Sequence, residues 1–235
     1  RLHQLSQRVV GDITVEMLFQ KWLPWRASTH HWKGKTVSTN WCLVNNYILP
    51  VFGSRKVRQL TTMDMDMYLQ KIGSMFTAQS VRAGSPEKIS SSTMHTIYTL
   101  IKGALDKAQV WGFISQNPMA GAMEAPKVTQ KERPIWDEDE AWKLLQQADT
   151  PLLHLAIHLA YICSLRNGET VGITLDCINL KDNRLLINKT LARVEREALA
   201  MGDEKILFTF PTRLKTRVPK SMLVLKEPKD QSQRI

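Results

Sequence analysis

The residues best suited to chemistry are an arginine and a glutamate three positions apart, in the stretch SLRNGETVGITLDCINL at 164–180. A long apolar run ends at Arg166, and Glu169 follows before the apolar residues resume. A guanidinium is a planar fork that matches two oxygens of a phosphate and stays charged at any working pH. If helix continues here, Glu169 lies on the same face and can brace it. An ordinary i,i+3 ion pair near a helix C-terminus is the alternative.

The charge balance indicates a polyanionic partner. The 235-residue chain carries a net charge of +10, with 32 Lys and Arg against 22 Asp and Glu. Residues 1–134 hold 17 of the basic and 8 of the acidic side chains, so this part alone carries +9. Such a surface attracts nucleic acid through many weak contacts. A ribosomal or membrane-surface protein would have a similar balance, so charge alone does not decide between them.

Several classes of protein are disfavoured by the sequence. The chain does not begin with the basic-then-apolar layout of a secretory signal, and its longest apolar run, 152–165, has fourteen residues including two histidines. We therefore expect no membrane span. Three cysteines in no metal-like spacing argue against a disulfide framework and for a reducing compartment, the cytoplasm by default. His154 and His158 lie four apart, but the glutamate of a zinc H-E-x-x-H motif is missing, so we expect no metal site.

Apolar periodicity and capping residues predict a compact four-helix unit in residues 1–118, with the second helix closing at Pro50 and Gly53. The expected helix starts are, in order, Thr14; Ser38 or Thr39; Thr61 or Thr62; and the serine run 90–92. The apolar positions expected on the inner faces include Val15, Leu18, Phe19, Trp22, Trp25, Trp41, Val44, Ile48, Met63, Met67, Tyr68, Ile72, Ile97, Ile101, Ala104, Leu105 and Ala108. The tryptophans fall at helical spacing among aliphatic residues, so packing explains them better than stacking on bases.

The second half of the chain has a different pattern. Residues 119–134 contain two prolines, small residues and scattered charges without periodicity, which is typical of a linker. Beyond it, Asp137 is expected to cap one helix, and Pro151 to open a buried second helix that ends near Arg166. Short β-type runs separated by turn residues follow. Residues 135–235 are therefore predicted to be α+β, with a small antiparallel sheet, in a chain that is mainly α.

Four stretches resemble the tyrosine recombinases of the phage-integrase family. S-L-R-N-G-E-T at 164–170 is similar to the family's first box, G-L-R-x-x-E-L, with Ser164 in place of the glycine and Thr170 in place of the leucine. L-V-L-K-E-P-K-D-Q-S-Q-R-I at 223–235 is similar to the hairpin box P-K-T-x-x-S-x-R-x-I. N-N-Y-I-L-P-V-F-G and the long helix S-S-T-M-H-T-I-Y-T-L-I-K-G-A-L-D-K-A resemble the family's core-binding domain. The resemblance thus covers nearly the whole chain.

This resemblance implies a domain order and two catalytic residues. Residues 1–118 would be a SAM-like core-binding domain of four helices, and residues 135–235 the N-terminal portion of a truncated helical catalytic domain. Arg166 would bind the scissile phosphate with Glu169 in support. Lys229 would protonate the departing 5′-oxygen, a role that suits lysine because its pKa moves readily with its surroundings. The alternatives to Lys229 in the same basic stretch are Lys215 and Lys226.

The resemblance also implies what this polypeptide lacks. The family's His-x-x-Arg pair and its tyrosine nucleophile, which forms a 3′-phosphotyrosyl link, lie beyond the hairpin and are not found before Ile235. All four tyrosines precede Arg166, so none is assigned as nucleophile. We therefore expect this chain to bind double-stranded DNA without cutting it, and to need no cofactor. Complete proteins are expected to form homo-tetramers on DNA in a bacterial cytoplasm. A non-catalytic DNA-binding module or regulator is the alternative function, and an RNA-binding helical protein a third.

Helix starts are the expected DNA contacts of the first half, because free N–H groups and the helix dipole attract phosphates. Capping without DNA contact is the alternative for each residue. The candidates are Lys33, Lys35, Thr36, Ser38, Thr39 and Asn40 at the second helix, and Ser91, Ser92, Thr93 and His95 at the fourth. Arg234, near the end of the chain, is a separate candidate for a phosphate contact, and a solvated strand-end cation is its alternative.

Overall fold

The computed structural model describes residues 12–122, 124–129, 132, 134–211 and 219–228. These residues form two compact units that divide between residues 131 and 132, inside the predicted linker. The first unit includes residues 12–32 and 36–129, and the second includes residues 33–35 and 132–228. Within the described residues, every helix is too short or too polar to serve as a membrane span.

The first unit is helical, as predicted. Its helices are α1 (Val15–Thr29), α2 (Gly34–Leu43), α3 (Leu49–Phe52), α4 (Thr62–Ile72), α5 (Ala78–Arg82) and α6 (Ser91–Val110), with a π-helical turn at Val44–Ile48 and 3-10 turns at Val57–Gln59 and Pro118–Gly121. Three predicted caps are confirmed, because side-chain oxygens of Thr14, Thr61 and Ser90 accept hydrogen bonds from backbone N–H groups in the first turns of α1, α4 and α6.

One apolar core holds this unit together. Helix α6 buries the face predicted from its spacing and packs against α1, whose Leu18, Phe19 and Trp22 are almost fully enclosed. The other tryptophans named above pack against this core, so their structural interpretation is confirmed. Inside it, the Tyr68 hydroxyl donates to the Tyr47 carbonyl oxygen at 2.9 Å. Arg55 makes two 2.8 Å bonds to the Asp64 carboxylate, which joins α4 to the turn before it.

Three predictions for the first unit are wrong in whole or in part. The second helix begins at Gly34, so Ser38 and Thr39 lie inside α2 and cap nothing. The helical path continues through Pro50, because the wider π-helical turn precedes it and places proline in the first turn of α3, where no N–H is needed. The path does end at Gly53, as predicted. In α4 the buried face is carried by Met65, Tyr68, Leu69 and Ile72, so the predicted core residues Met63 and Met67 are instead exposed.

The second unit combines short helices with antiparallel strands, which confirms the predicted α+β class. Its elements are α7 (Glu138–Gln146), α8 (Pro151–Tyr161), α9 (Asn167–Thr170), a 3-10 turn (Leu175–Cys177), β1 (Ile178–Asn179), β2 (Arg184–Leu185), β3 (Thr190–Glu195), α10 (Arg196–Met201), β4 (Ile206–Thr209) and β5 (Ser221–Lys226). β1 and β2 form a hairpin, and β5 lies between β3 and β4 in a three-stranded sheet. Asp137 caps α7 reciprocally with Glu140, as its sequence predicts.

Helix α8 differs from its prediction in two ways. It ends at Tyr161 rather than near Arg166, and none of its residues is buried. Leu152 and Leu155 expose 77% and 54% of their surface, although the helix was expected to be a core element. A helix this apolar is normally covered on at least one face, and the described residues leave it open.

Candidate active site and nucleic-acid interface

The turn that carries Arg166 is built by a break between two helices. After α8, Ser164 adopts a left-handed backbone with φ of +52°, and the Leu165 N–H reaches back to the Leu159 carbonyl oxygen at 3.1 Å. Arg166 is the residue immediately before α9, so it stands at the start of a helical turn. The predicted position near a helix C-terminus is therefore wrong. The left-handed backbone explains why the resembling box has glycine at this position.

Glu169 anchors Arg166 through its carboxylate. One carboxylate oxygen accepts from the Arg166 backbone N–H at 3.0 Å, and the other accepts from guanidinium Nη1 at 3.3 Å. The Glu169 side chain is 3% exposed, whereas the Arg166 side chain is 60% exposed. The two predicted residues are thus brought together, with the carboxylate enclosed and the guanidinium open to a ligand. An exposed ion pair alone contributes little stability, but this one fixes the direction of an accessible fork.

Two glycines allow the Arg166 turn to pack directly on strand β3. A Cβ on Gly168 would lie 2.4 Å from Thr190 Oγ1 and 3.1 Å from the Leu191 carbonyl oxygen. A Cβ on Gly172 would lie 2.8 Å from the Leu191 nitrogen and 2.9 Å from Thr190 Cα. A side chain at Gly172 would meet backbone atoms alone, and one at Gly168 would require the Thr190 side chain to move. Sequence analysis did not single out these positions, although a glycine between two β-branched residues at 171–173 is a signal of close backbone approach.

Strand β5 leads toward the second predicted catalytic residue. It ends at Lys226, which pairs in register with Thr190, the residue that lies against Gly168. The Lys226 ammonium bonds to the enclosed carboxylate of Glu204, so this alternative to Lys229 has a structural partner. Lys229 itself, Arg234 and the alternative Lys215 lie outside the described residues.

A further lysine near the start of β3 was not predicted. Lys189 donates to Thr174 Oγ1 at 2.7 Å and bonds to the Asp176 carboxylate. The bond to Asp176 raises the pKa of the Lys189 ammonium, and the same contact lowers the pKa of Asp176. These contacts favour the protonated form of Lys189, next to Thr190 in the chain.

The predicted contacts at the second helix are changed by its earlier start. Lys33 precedes α2, and Lys35 and Thr36 lie exposed in its first turn. Thr39 is exposed farther along the helix, whereas Asn40 is buried at 8% exposure. Because the helix begins at Gly34, the N–H groups at 38–40 lie beyond the first turn, so the helix-start argument applies only to residues 33–36. Ser38 is half-buried in the same stretch.

The predicted contacts at the fourth helix already have protein partners. Ser91 Oγ accepts from the Thr129 backbone N–H at 3.0 Å, and His95 Nδ1 lies 3.1 Å from the Pro126 carbonyl oxygen. Ser90 Oγ lies 3.0 Å from Thr93 Oγ1 and caps the helix, while Ser92 is exposed. Residues 124–129 therefore run along the first turn of α6.

The two histidines of α8 do not form a metal site with other described residues. The His154 and His158 rings lie 4.8 Å apart between centroids. Within the described parts of the chain, no three His, Cys, Asp or Glu side chains are grouped as metal ligands would be.

Comparison with known proteins gives a family match within the first unit. Residues 14–73 match the family described as phage integrase, N-terminal SAM-like domain. This match covers α1 to α4, the region whose sequence resembles a core-binding domain. A search of the curated proteins gives no significant match.

Solved structures match a larger part of this chain than the family model does. A Tn1549 transposon integrase in complex with a circular intermediate DNA matches with a TM-score of 0.62 at 15% identity, over 92% of this chain and 58% of that one. A lambda integrase tetramer bound to a Holliday junction matches with a TM-score of 0.58 at 18% identity, over 75% and 47%. This chain spans about half the length of these integrases. Its fold is similar to that of the lambda and Tn1549 integrases, and residues 14–73 match the SAM-like domain model of the phage-integrase family.

Proposed function

We propose that this chain binds duplex DNA in site-specific recombination and presents Arg166 to the phosphate at which a strand is cut and rejoined. The observation that carries this proposal is the pairing of an exposed guanidinium with an enclosed carboxylate, Glu169, on a turn packed against a strand. Attack on a phosphodiester concentrates negative charge on the non-bridging oxygens. A preorganised donor of this kind typically contributes about 2.7–4 kcal/mol of transition-state stabilisation.

We further propose Lys229 as the general acid of the same site. In the sequence it follows Lys226, the last residue of β5, by three positions. Lys226 pairs with Thr190, and Thr190 lies against the Arg166 turn. This order of contacts supports two cations converging on one phosphate. In the reaction that the resemblance implies, a tyrosine oxygen bonds to phosphorus, the bond to the 5′-oxygen breaks, and Lys229 gives its proton to that oxygen.

This polypeptide by itself is proposed to bind DNA without cutting it. Tyr47 and Tyr68 lie in the core of the first unit, and burial raises the pKa of the Tyr68 hydroxyl. Tyr98 is half-buried within α6, and Tyr161 is the last residue of α8. None belongs to a segment following Arg166, where the resembling family has its nucleophile. We propose that the tyrosine comes from a region that these 235 residues do not include.

Assembly is proposed from the same comparison. One of the similar structures is a lambda integrase tetramer on a Holliday junction, and a homo-tetramer on DNA is the corresponding proposal for complete copies of this protein. Exposed side chains at the starts of α2 and α6, such as Lys35, Thr36 and Ser92, are proposed to contact the DNA backbone. The proposed sequence-independent contacts would make the affinity fall steeply with salt.

The test is the salt dependence of DNA binding, measured by fluorescence anisotropy with a labelled duplex. Each neutralised phosphate contributes a slope of about 0.9 in log affinity against log salt, so Arg166→Ala is expected to lower the slope by about that amount. Arg184→Ala, which removes an exposed cation of β2, is the matched control. Equal slopes for the two variants would refute a phosphate contact by Arg166.

A second measurement tests the chemistry. Incubation with a nicked duplex is expected to give no covalent protein–DNA adduct, and an adduct would contradict the proposed lack of cutting. Competition between duplex DNA and RNA of equal length is expected to favour the duplex. Preference for RNA would overturn the assignment to recombination.

A further inference from the structure

The first unit contains an aromatic cavity that the proposed recombination chemistry does not use. Its volume is about 420 Å³, within the range of natural binding pockets. It lies between the second half of α1 and residues 98–110 of α6. Its lining includes the aromatic side chains Trp22, Trp25, Trp32 and Tyr98. Gly103 forms part of the wall, and its backbone packs closely against the Trp22 ring. A Cβ at this position would lie 3.0 Å from the ring.

The cavity carries an excess of positive charge. The Lys107 ammonium sits 4.1 Å from the centre of the Trp25 ring, a cation–π contact. Arg26 also lines the cavity and forms no ion pair with any residue that the structure describes. Lys102 is neutralised by Asp106 at 2.9 Å. Two cations among aromatic walls favour a ligand that combines a large apolar side chain with carboxylates.

Lys107, at one end of the cavity lining, lies apart from the predicted phosphate contacts of α6. Those contacts are at the start of the helix, around Ser92, whereas Lys107 lies fifteen positions later. At a rise of 1.5 Å per residue, Ser92 and Lys107 are separated by about 22 Å along the helix axis. Tyr98, which also lines the cavity, is only six positions from Ser92, so nucleic acid is the competing ligand that the experiments must distinguish.

The chain itself contains a segment with complementary chemistry. Residues 134–142 read P-I-W-D-E-D-E-A-W, with four carboxylates and no basic residue in a chain of net charge +10. Ile135 is 92% exposed and Trp136 is 52% exposed, although both are large and apolar. Asp137 and Glu140 cap α7, whereas Glu138 and Asp139 are exposed and bond to no other described residue.

We propose that this cavity binds the 134–142 segment of a second copy of the chain. The Trp136 ring enters the aromatic cavity, and Glu138 and Asp139 pair with Arg26 and Lys107. Tryptophan and arginine are the residue types that most often dominate binding energy at protein interfaces. The contact joins two different surfaces, so successive copies are arranged head to tail, and a ring forms if the rotation between them closes. The proposal does not depend on the chemistry at Arg166.

The first experiment measures binding of a fluorescein-labelled peptide of residues 134–142 to the whole chain by anisotropy. Saturable binding is expected, with a loss of about tenfold or more in Arg26→Glu, which corresponds to about 1.4 kcal/mol. Lys71→Glu, the same charge reversal at an exposed position of α4 outside the cavity, is the matched control and is expected to bind normally. A peptide with Glu138→Lys and Asp139→Lys should bind the native chain weakly and recover affinity for the Arg26→Glu variant.

Several outcomes would overturn the proposal. These are no saturable binding, equal losses in Arg26→Glu and Lys71→Glu, or unchanged binding of a peptide carrying Trp136→Ala. Displacement of the peptide by a single-stranded oligonucleotide, with the same sensitivity to Arg26→Glu, would assign the cavity to nucleic acid instead. Arg26 is partly exposed, so its reversal is not expected to unfold the unit; thermal melting of each variant checks this.

The second experiment follows self-association of the whole chain by sedimentation velocity. The average mass is expected to rise with protein concentration at low salt, and this rise should be lost in Trp136→Ala. Mixing Arg26→Glu chains with chains carrying Glu138→Lys and Asp139→Lys should restore it. A mass independent of concentration, or a rise that Trp136→Ala leaves unchanged, would contradict docking between copies.

Discussion

Replacing Gly172 with alanine is expected to displace the turn that carries Arg166. The new Cβ would lie 2.8 to 2.9 Å from three backbone atoms, namely the Gly168 carbonyl oxygen, the Leu191 nitrogen and Thr190 Cα. Because none of these atoms can rotate away, the turn and strand β3 must separate. Overpacking of this kind costs typically 1–3 kcal/mol, and we expect Gly172→Ala to lower the free energy of unfolding by about 3 kcal/mol.

The neighbouring change Gly168→Ala is expected to be milder, for a reason that can be tested. Its severe contact, 2.4 Å, is with Thr190 Oγ1, and a hydroxyl can rotate at a cost of about 1 kcal/mol. Alanine also improves helix propensity by about 1 kcal/mol relative to glycine. Combining Gly168→Ala with Thr190→Ala removes the contact between the new Cβ and the hydroxyl. The double variant should therefore lose about 1 kcal/mol less free energy of unfolding than the sum of the losses in the two single variants.

Urea unfolding, followed by circular dichroism, measures these differences in the free energy of unfolding. Gly73→Ala is the matched control, because its Cβ would meet only Met94 Sδ, at an ordinary 3.6 Å. We expect it to change stability by less than about 0.5 kcal/mol. Equal losses in Gly172→Ala and Gly73→Ala, or strict additivity of Gly168→Ala and Thr190→Ala, would refute direct packing of the turn on β3. The DNA-binding slope of Gly172→Ala should also approach that of Arg166→Ala.

Two further predictions concern stability away from the glycines. Ser164→Gly should stabilise the second unit by about 0.5–1 kcal/mol. A left-handed backbone costs a non-glycine residue about 1–2 kcal/mol, and the greater conformational entropy of glycine in the unfolded chain offsets part of that gain. An unchanged or lower thermal midpoint would contradict this prediction. Arg55 donates hydrogen bonds to the Asp64 carboxylate and lowers its pKa. The ionised carboxylate therefore stabilises the folded state fully above the pKa of Asp in the unfolded chain, about 3.9, and this stabilisation is lost as pH falls through the lower pKa of Asp64 in the folded chain. The stability gap between the native chain and Asp64→Asn should therefore narrow on acidification from about pH 6 to about pH 2, and a constant gap would refute the ion pair's role.

Local signals predicted the helices of the first unit well because each is specified within a few residues. Thr14, Thr61 and Ser90 cap the turns that follow them, and the face of α6 is fixed by its own periodicity. The start of α2 was missed because Gly34 offers no capping side chain, while Ser38 and Thr39 imitate a cap. The exposure of Met63 and Met67 was missed because tertiary packing selects which face of an apolar helix is buried.

The sequence indicated which residues form the candidate site, but not which elements pack around them. Arg166 and Glu169 were recognisable from their types and from the resemblance, and the structure joins them. Their support comes from strand β3, which the sequence did not predict as a separate strand. Contacts such as that of Gly168 with Thr190 connect positions twenty-two residues apart, and single-sequence periodicity carries no information about such pairs.

The uncovered apolar surface of α8 gives the polypeptide two opposite responses to added electrolyte. Strongly hydrated anions such as sulfate are excluded from apolar surface and therefore strengthen the association of apolar surfaces. Any salt, in contrast, weakens electrostatic binding to nucleic acid. Hydrophobic self-association through Leu152 and Leu155 should therefore strengthen under the conditions that release the protein from nucleic acid. Protein eluted from a nucleic-acid-affinity column with sulfate is expected to be aggregated. Protein eluted with a chloride gradient, which promotes salting out less, is expected to remain unaggregated.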